Sequence, residues 1–254
     1  MEYITIDIFE KTGIVKTICT KKSSLASEGS WKYGEQGAQE NYEALGNLFG
    51  ISPADIVRAR QVHSAEVRVV TKAENGGDGI LREADEYDGL ITNEKNLLLC
   101  TLEADCVPVF LLDPVRNVIG MVHSGWKGTA QKISVNAMNL MKERFDSRPS
   151  DILAAMGPCI CENCYEVSDD LIGPFLENYS KREVTRFFRK SPVREGKYFL
   201  HLAEAIRTAL KKEGVKEENI SGPEYCTFHD GIFPSYRKEK DMAGRMLTGI
   251  MLTE

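Results

Sequence analysis

No apolar run in these 254 residues approaches the roughly 20 needed to cross a bilayer. An excess of basic charge is missing too: 32 Lys and Arg face 38 Asp and Glu, for a net charge of −6. That excludes the broad positive surface of a nucleic-acid binder, while a local basic cleft for a small anion stays open. Residues 1–7 alternate and carry acids, with neither a basic n-region nor an apolar h-region, so the chain is expected in the cytoplasm. Repeats, low-complexity tracts and Pro/Gly/Ser-rich linkers are lacking as well, and residues 1–254 are read as one domain. Histidine is scarce: His63, His123, His201 and His229 are the whole supply, which narrows the metal chemistry available.

What is present is an ordinary globular composition, 42% hydrophobic and 28% charged, which rules out whole-chain disorder. The seven cysteines are odd in number and irregularly spaced. In a reducing compartment that argues against a disulfide framework and leaves buried thiols, metal ligands or a reactive thiolate.

Alternation and β-branched content predict strands over 3–9 and 13–19. Residues 21–37 read as a long polar loop, and 40–49 as a helix stopped by Gly50. Strands over 56–62 and 66–70 flank His63, and 74–87 reads as a second, mobile loop. Short apolar runs predict buried strands over 97–104, 107–112, 118–123 and 152–157. One amphipathic helix is expected over 129–145. Further helices are expected over 169–178, capped by Ser168, and over 202–213, stopped by Gly214. Strands and helices mix without a regular βαβ beat, so the expected class is α+β.

Three motifs place reactive side chains at strand ends: Arg60-Gln-Val-His63, Ala104-Asp-Cys106 and His123-Ser-Gly-Trp-Lys-Gly-Thr129. Two histidines and a thiol are the donors of a zinc site whose fourth position stays open for water or substrate. Their long spacing leaves the alternative standing, a buried thiol and hydrogen-bonded imidazoles. Asp105 and Glu103 beside Cys106 would raise its thiol pKa, which makes a bare thiolate costly and a metal ligand the better reading. The turn from Ser124 through Lys127 into a helix is suited to phosphate, with Arg60 adding charge; a solvated Gly-rich turn explains it equally. Cys159, Cys161 and Cys164 contain one Cys-x-x-Cys with no second half at zinc spacing, and read as reduced and incidental. Near the C-terminus, Cys226-Thr227, Ser235-Tyr-Arg237 and Gly244-Arg245 fit either a pocket for an anionic or sugar substrate or a surface turn.

Taken together with Asp88-Gly-Leu-Ile-Thr92, Gly157-Pro-Cys-Ile160 and Tyr165-Glu-Val167, these motifs resemble the bacterial YfiH family, the laccase-domain group once called polyphenol oxidases. The resemblance spans residues 55–245. It implies a four-layer α/β/β/α fold with mixed sheets, grouped with cytotoxic-necrotizing-factor-like domains. It also implies a metal centre, commonly zinc, on His63, Cys106 and His123.

For function, the resemblance implies a zinc-dependent purine nucleoside phosphorylase acting on adenosine, inosine and S-methyl-5′-thioadenosine, with adenosine deaminase activity. On that reading His63, Cys106, His123 and Asp105 are catalytic, Asp105 in proton transfer or support, while Arg60, Ser124, Lys127 and Arg237 bind substrate. The partners would be a small nucleoside and phosphate, without nucleic acid or membrane, on a monomer or weak homodimer. A multicopper oxidase needs many histidines, typically in His-x-His pairs; this chain has four and no such pair. Copper loading is therefore expected to be adventitious. The alternatives are an amidohydrolase releasing L-serine from UDP-muramoyl-L-serine, a copper-dependent polyphenol oxidoreductase, and a non-catalytic metal or thiol module.

Overall fold

A computed structural model describes residues 1–24, 30–32, 34–35, 37–58, 60–72 and 86–253. Two mixed sheets form its centre. The first is ordered β1 (Tyr3–Ile4), β2 (Val15–Thr20), β14 (Met246–Leu252), β6 (Leu98–Glu103) and β3 (Ile56–Arg58). The second is ordered β13 (Ile220–Ser221), β9 (Leu153–Met156), β7 (Val107–Asp113), β8 (Val118–Ser124), β5 (Gly89–Thr92) and β4 (Val67–Val69). Pairing is antiparallel except at β3·β6, β4·β5 and β13·β9. A small third sheet holds β10 (Glu166–Ser168), β12 (Lys197–Leu200) and β11 (Phe188–Lys190).

The pleat sorts side chains into three hydrophobic layers. On β6, Leu98, Cys100 and Leu102 face one way, against Tyr42, Leu45 and Phe49 of helix α2 (Ala38–Phe49), while Leu99 faces the other sheet. On β7, Phe110 and Leu112 point between the sheets, whereas Val109 and Leu111 point outward to the helical layer. That layer is built chiefly from α4 (Ile133–Phe145) and α7 (Leu202–Lys212), through Ile133, Met138, Met141, Ile206 and Leu210. Residues i and i+2 share a face, so each central strand feeds two cores. The result is the four-layer α/β/β/α order, with α+β class and mixed sheets. Because both faces are covered, the strands read as continuous apolar runs.

Several elements depart from the sequence reading. The expected strand 3–9 stops at Ile4. The chain then turns through α1 (Asp7–Glu10) because the Ile6 N–H donates to Thr17 Oγ1 at 2.8 Å, and Phe9 drops into the inter-sheet core at 0% exposure. The strand expected over 56–62 ends at Arg58. Beyond it the Gln61 amide takes over the ladder, donating to Leu102 O at 2.9 Å and accepting from Leu102 N at 2.8 Å. The helix expected over 129–145 is two, α3 (Trp126–Ala130) and α4, divided at Lys132 with φ +57°. The stretch 169–178 is a 3₁₀ turn, Asp169–Leu171, followed by α5 (Ile172–Leu176). Ser168 does not cap it, since its hydroxyl accepts from Lys197 Nζ at 2.6 Å.

The helix ends at Gly50 and Gly214 stand as expected, both glycines at positive φ. The expected loop 74–87 lies almost wholly outside the described residues, and so do 25–29, 33 and 36 of the expected loop 21–37. Strands β5, β13 and β14, the third sheet, α6 (Lys181–Phe187) and α8 (Tyr236–Glu239) were not expected from the sequence.

Phe110 belongs to the inter-sheet core, is fully buried and packs against Phe9 at 6.2 Å. Phe110→Ala is expected to lower unfolding free energy by about 3–5 kcal/mol, measured by urea denaturation with an unchanged slope.

Candidate metal centre and active-site pocket

Three separate parts of the chain deliver the donors. His123 sits near the end of β8, opposite Pro108 of β7, and is 3% exposed. Cys106 lies in the break between β6 and β7, just after Asp105, whose φ of +87° makes the chain turn there. His63 follows the Gln61 anchor at φ +61°. One donor atom from each lies within 4.8 Å of the others. His63 Nε2 is 4.0 Å from Cys106 Sγ, and the two imidazoles meet edge to face. Gly125 leaves room beside them: a Cβ there would come within 3.1 Å of Cys106 Sγ and 3.0 Å of His63 Cδ2.

The buried carboxylate of Asp88 holds this geometry. It accepts from His63 N at 3.0 Å, Ser64 N at 2.7 Å and Ser64 Oγ at 2.8 Å, and is 2.8 Å from His123 Nδ1. The His123 bond occupies Nδ1 and leaves Nε2 for a metal, the carboxylate–histidine arrangement that fixes a ligand's tautomer. Burial works against ionised Asp88, but the bonds from His123 and Ser64 outweigh it and hold its pKa down.

Burial alone would raise the Cys106 thiol, but the His123 and His63 imidazoles outweigh it and bring its pKa down to about 6. Burial would likewise depress His123, yet the Cys106 sulfur and Asp88 raise it to about 10. The metal-free centre is thus a thiolate–imidazolium pair. This corrects the expectation that neighbouring acids raise the Cys106 thiol. Glu103 is itself pushed up to about 7 by burial, despite the opposing influence of His123, and Asp105 spends its oxygens elsewhere.

Asp105 Oδ1 accepts from Thr227 Oγ1 at 2.6 Å and Oδ2 from Arg237 N at 2.6 Å. A nitrogen–sulfur–nitrogen donor set with one exposed member suits zinc with an open side, and copper can occupy the same donors.

The open side faces a pocket of about 740 Å³. Among the described residues, Lys32, Arg58, Arg60, Arg237, Lys240 and Arg245 line it, with Asp105 as the one acid and Trp126, Tyr165 and Tyr236 as aromatic walls. Such a concentration of cations is notable on a chain of net charge −6. Arg237 is braced for its place, donating to Glu166 O at 2.6 Å and lying 5.1 Å over the Tyr165 ring. Ser124 and Lys127 are absent from the described lining. The Ser124 hydroxyl is buried against Thr129 Oγ1 at 2.9 Å, and Lys127 Nζ lies 5.7 Å over the Trp126 ring.

Sequence reading gave no role to Asp88 or Gln61. The signal for Asp88 was its place directly before an apolar strand, as the last of the acids that lead into Gly89–Thr92. It also found no second half for Cys161-x-x-Cys164, although Cys226 and His229 stand beside that pair.

Residues 24–253 match the family described as multi-copper polyphenol oxidoreductase laccase. The chain belongs to that family. It is 33% identical over 223 residues to a Bacillus subtilis protein named purine nucleoside phosphorylase YlmD, covering 85% of this chain and 77% of that one. A Geobacillus stearothermophilus protein of the same name is 35% identical, covering 76% of this chain and 71% of its own. A relative of unknown prokaryotic origin, named an adenosine deaminase, is 31% identical, covering 81% and 78%. The fold of this laccase-family chain matches the crystal structure of Bacillus licheniformis YfiH with TM-score 0.88 and 29% identity, over 99% and 96% of the two chains.

Two outcomes are expected. In metal-free protein, iodoacetamide should modify Cys106 with a pH midpoint near 6, against roughly 8.5 for a free thiol. Reactivity falls as pH drops through that value, because the thiolate is the reactive form. His123→Ala should move the midpoint upward, read by mass spectrometry of the Cys106 peptide. Separately, Asp88→Asn should weaken zinc binding about 10- to 100-fold, measured by competition with a chromophoric chelator.

Proposed function

We propose that this chain catalyses metal-dependent phosphorolysis of purine nucleosides, among adenosine, inosine and S-methyl-5′-thioadenosine, and deaminates adenosine at the same site. The observation that carries the reading is the meeting of the His63–Cys106–His123 donors with a cation-walled, aromatic-lined pocket. Relatives named purine nucleoside phosphorylase and adenosine deaminase support it. The pocket volume falls within the range of small-ligand sites.

In phosphorolysis a phosphate oxygen attacks the anomeric carbon as the glycosidic bond breaks. The bond's electron pair leaves with the purine, which takes up the proton that the attacking hydrogen phosphate gives up, and ribose 1-phosphate remains. Arg237, Arg60 and Arg58 supply the charge to hold phosphate and the phosphorylated product, as guanidinium groups do through paired hydrogen bonds. Trp126, Tyr165 and Tyr236 offer faces to the purine ring. Holding the two reactants together supplies much of the rate. Asp105 is a positioning residue, because both its oxygens already accept hydrogen bonds that seat the Arg237 backbone and Thr227. His63, Cys106 and His123 would hold the zinc, which would supply Lewis acidity toward an oxygen of water or substrate.

Zinc-loaded protein is expected to release hypoxanthine and ribose 1-phosphate from inosine only when phosphate is present, followed by chromatography. His123→Ala and Cys106→Ala should each abolish that release, and Arg237→Ala should raise the KM for phosphate about tenfold. Adenosine converted to inosine without phosphate registers deamination. Base release independent of phosphate, or no turnover of any nucleoside, overturns the reading.

A further inference from the structure

A second group of soft donors lies outside the pocket's described lining and takes no part in the proposed chemistry. Cys161, Cys164, Cys226 and His229 place one donor atom each within 4.8 Å of the others. They arrive as two similar half-sites, Cys161-Glu-Asn-Cys164 and Cys226-Thr-Phe-His229, each with two residues between its donors. Both are tight turns: Cys164 N donates to Cys161 O at 3.0 Å, and Asp230 N to Cys226 O at 3.1 Å. The Cys161 N–H points at Cys226 Sγ at 3.4 Å, a backbone bond that stabilises a thiolate.

The distances fit one ion. Zinc–sulfur bonds near 2.3 Å and zinc–nitrogen bonds near 2.05 Å in a tetrahedron put sulfur and nitrogen about 3.6 Å apart. His229 Nδ1 lies 3.5 Å from Cys164 Sγ and 3.9 Å from Cys161 Sγ. Its other ring nitrogen, Nε2, is 3.2 Å from Asp230 Oδ1. A carboxylate on the far nitrogen is what orients a ligating imidazole. The same Asp230 accepts from Cys226 N through Oδ2 at 2.6 Å, so one side chain braces both donors of its half-site. The four-donor set is complete without water, unlike the three-donor centre. That is the mark of a structural rather than a catalytic zinc site. The half-exposed His229 leaves a route for the ion to enter.

We propose that Cys161, Cys164, Cys226 and His229 bind a thiophilic divalent cation, zinc by donor chemistry, in a closed site separate from the His63–Cys106–His123 centre. Binding releases the thiol protons to solvent and forms three metal–sulfur bonds and one metal–nitrogen bond. The ion staples two segments remote in sequence: the first is flanked by Ile160 and Tyr165 of the pocket lining, and the second reaches Asp105 through Thr227. Next to the first half-site, Ile160 N donates to Asp105 O at 3.0 Å, and Tyr165 lies under Arg237. Inside the second half-site, Thr227 donates to the Asp105 carboxylate at 2.6 Å. The staple therefore holds the turn that presents Cys106, and it stands whichever reaction the pocket performs.

Full-length protein purified under reducing conditions, zinc-loaded and desalted, is expected to carry two zinc ions per chain by mass spectrometric metal analysis. The double variant His63→Ala/Cys106→Ala should keep one, and so should Cys164→Ser/His229→Ala. With cobalt in place of zinc, the first double variant should retain the larger part of the sulfur-to-metal absorption, since three thiolates remain against one. His229 is half-exposed, so His229→Ala should preserve the circular dichroism spectrum while weakening the second zinc at least about tenfold by chelator competition. That single variant keeps the test available if cysteine variants fail to fold. One zinc per chain that disappears with His63 and Cys106 overturns the proposal. So does full alkylation of Cys161, Cys164 and Cys226 after zinc loading, a disulfide among them in reduced preparations, or unchanged affinity in His229→Ala.

Discussion

The site depends on one buried carboxylate. Asp88 is wholly inaccessible to solvent, and its two oxygens gather the backbone of Val62, His63 and Ser64 together with the His123 ring. A charge so placed is costly unless fully paired. Here five donor groups, counting the Ser64 hydroxyl, meet that requirement. The same bonds hold His63 in a left-handed conformation that an L-residue adopts reluctantly, which turns its imidazole toward Cys106. Removing the carboxylate would release two of the three donors at once.

That carboxylate can act only because the strands around it are rigid. The two sheets pack face to face over Phe9, Phe110, Ile119 and Ile250, and each is covered on its outer face by helix. The ends of β6, β7 and β8 therefore form a fixed rim: His123 stands on β8 itself, and the turn from β6 to β7 carries Asp105 and Cys106. Function placed on loops above a stiff scaffold is the usual division of labour in proteins.

The legible parts of the fold share a physical cause. β6, β7 and β8 read as apolar runs because both their faces are buried, and α2 and α7 read at helical spacing because one face of each is. β14 was overlooked although all seven of its residues are buried, since nothing local says that it inserts between β2 and β6. α6 did carry a readable signal in its Ser180–Glu183 capping box. The break at Lys132 left no such mark, and a tertiary bond from Tyr179 to Thr129 O secures the end of α3. At the site, the donor residues were readable but the Cys106 pKa was not. Its sign is set by imidazoles that reach it through space, whereas the sequence displays the acids beside it.

Composition, periodicity and motif by themselves determined the class of fold, most of the buried strands, the scarcity of histidine and the three donors available for a metal. Only the tertiary structure decided that those donors converge, that Asp88 orders them, that Ser124 turns inward, and that Cys226 and His229 complete the pair at Cys161 and Cys164. The physical reason is the same throughout. Burial leaves a periodic trace along the chain because each strand or helix has faces. Contact between residues remote in sequence leaves none, because it is fixed by which faces pack together and by the hydrogen bonds that finish their loops.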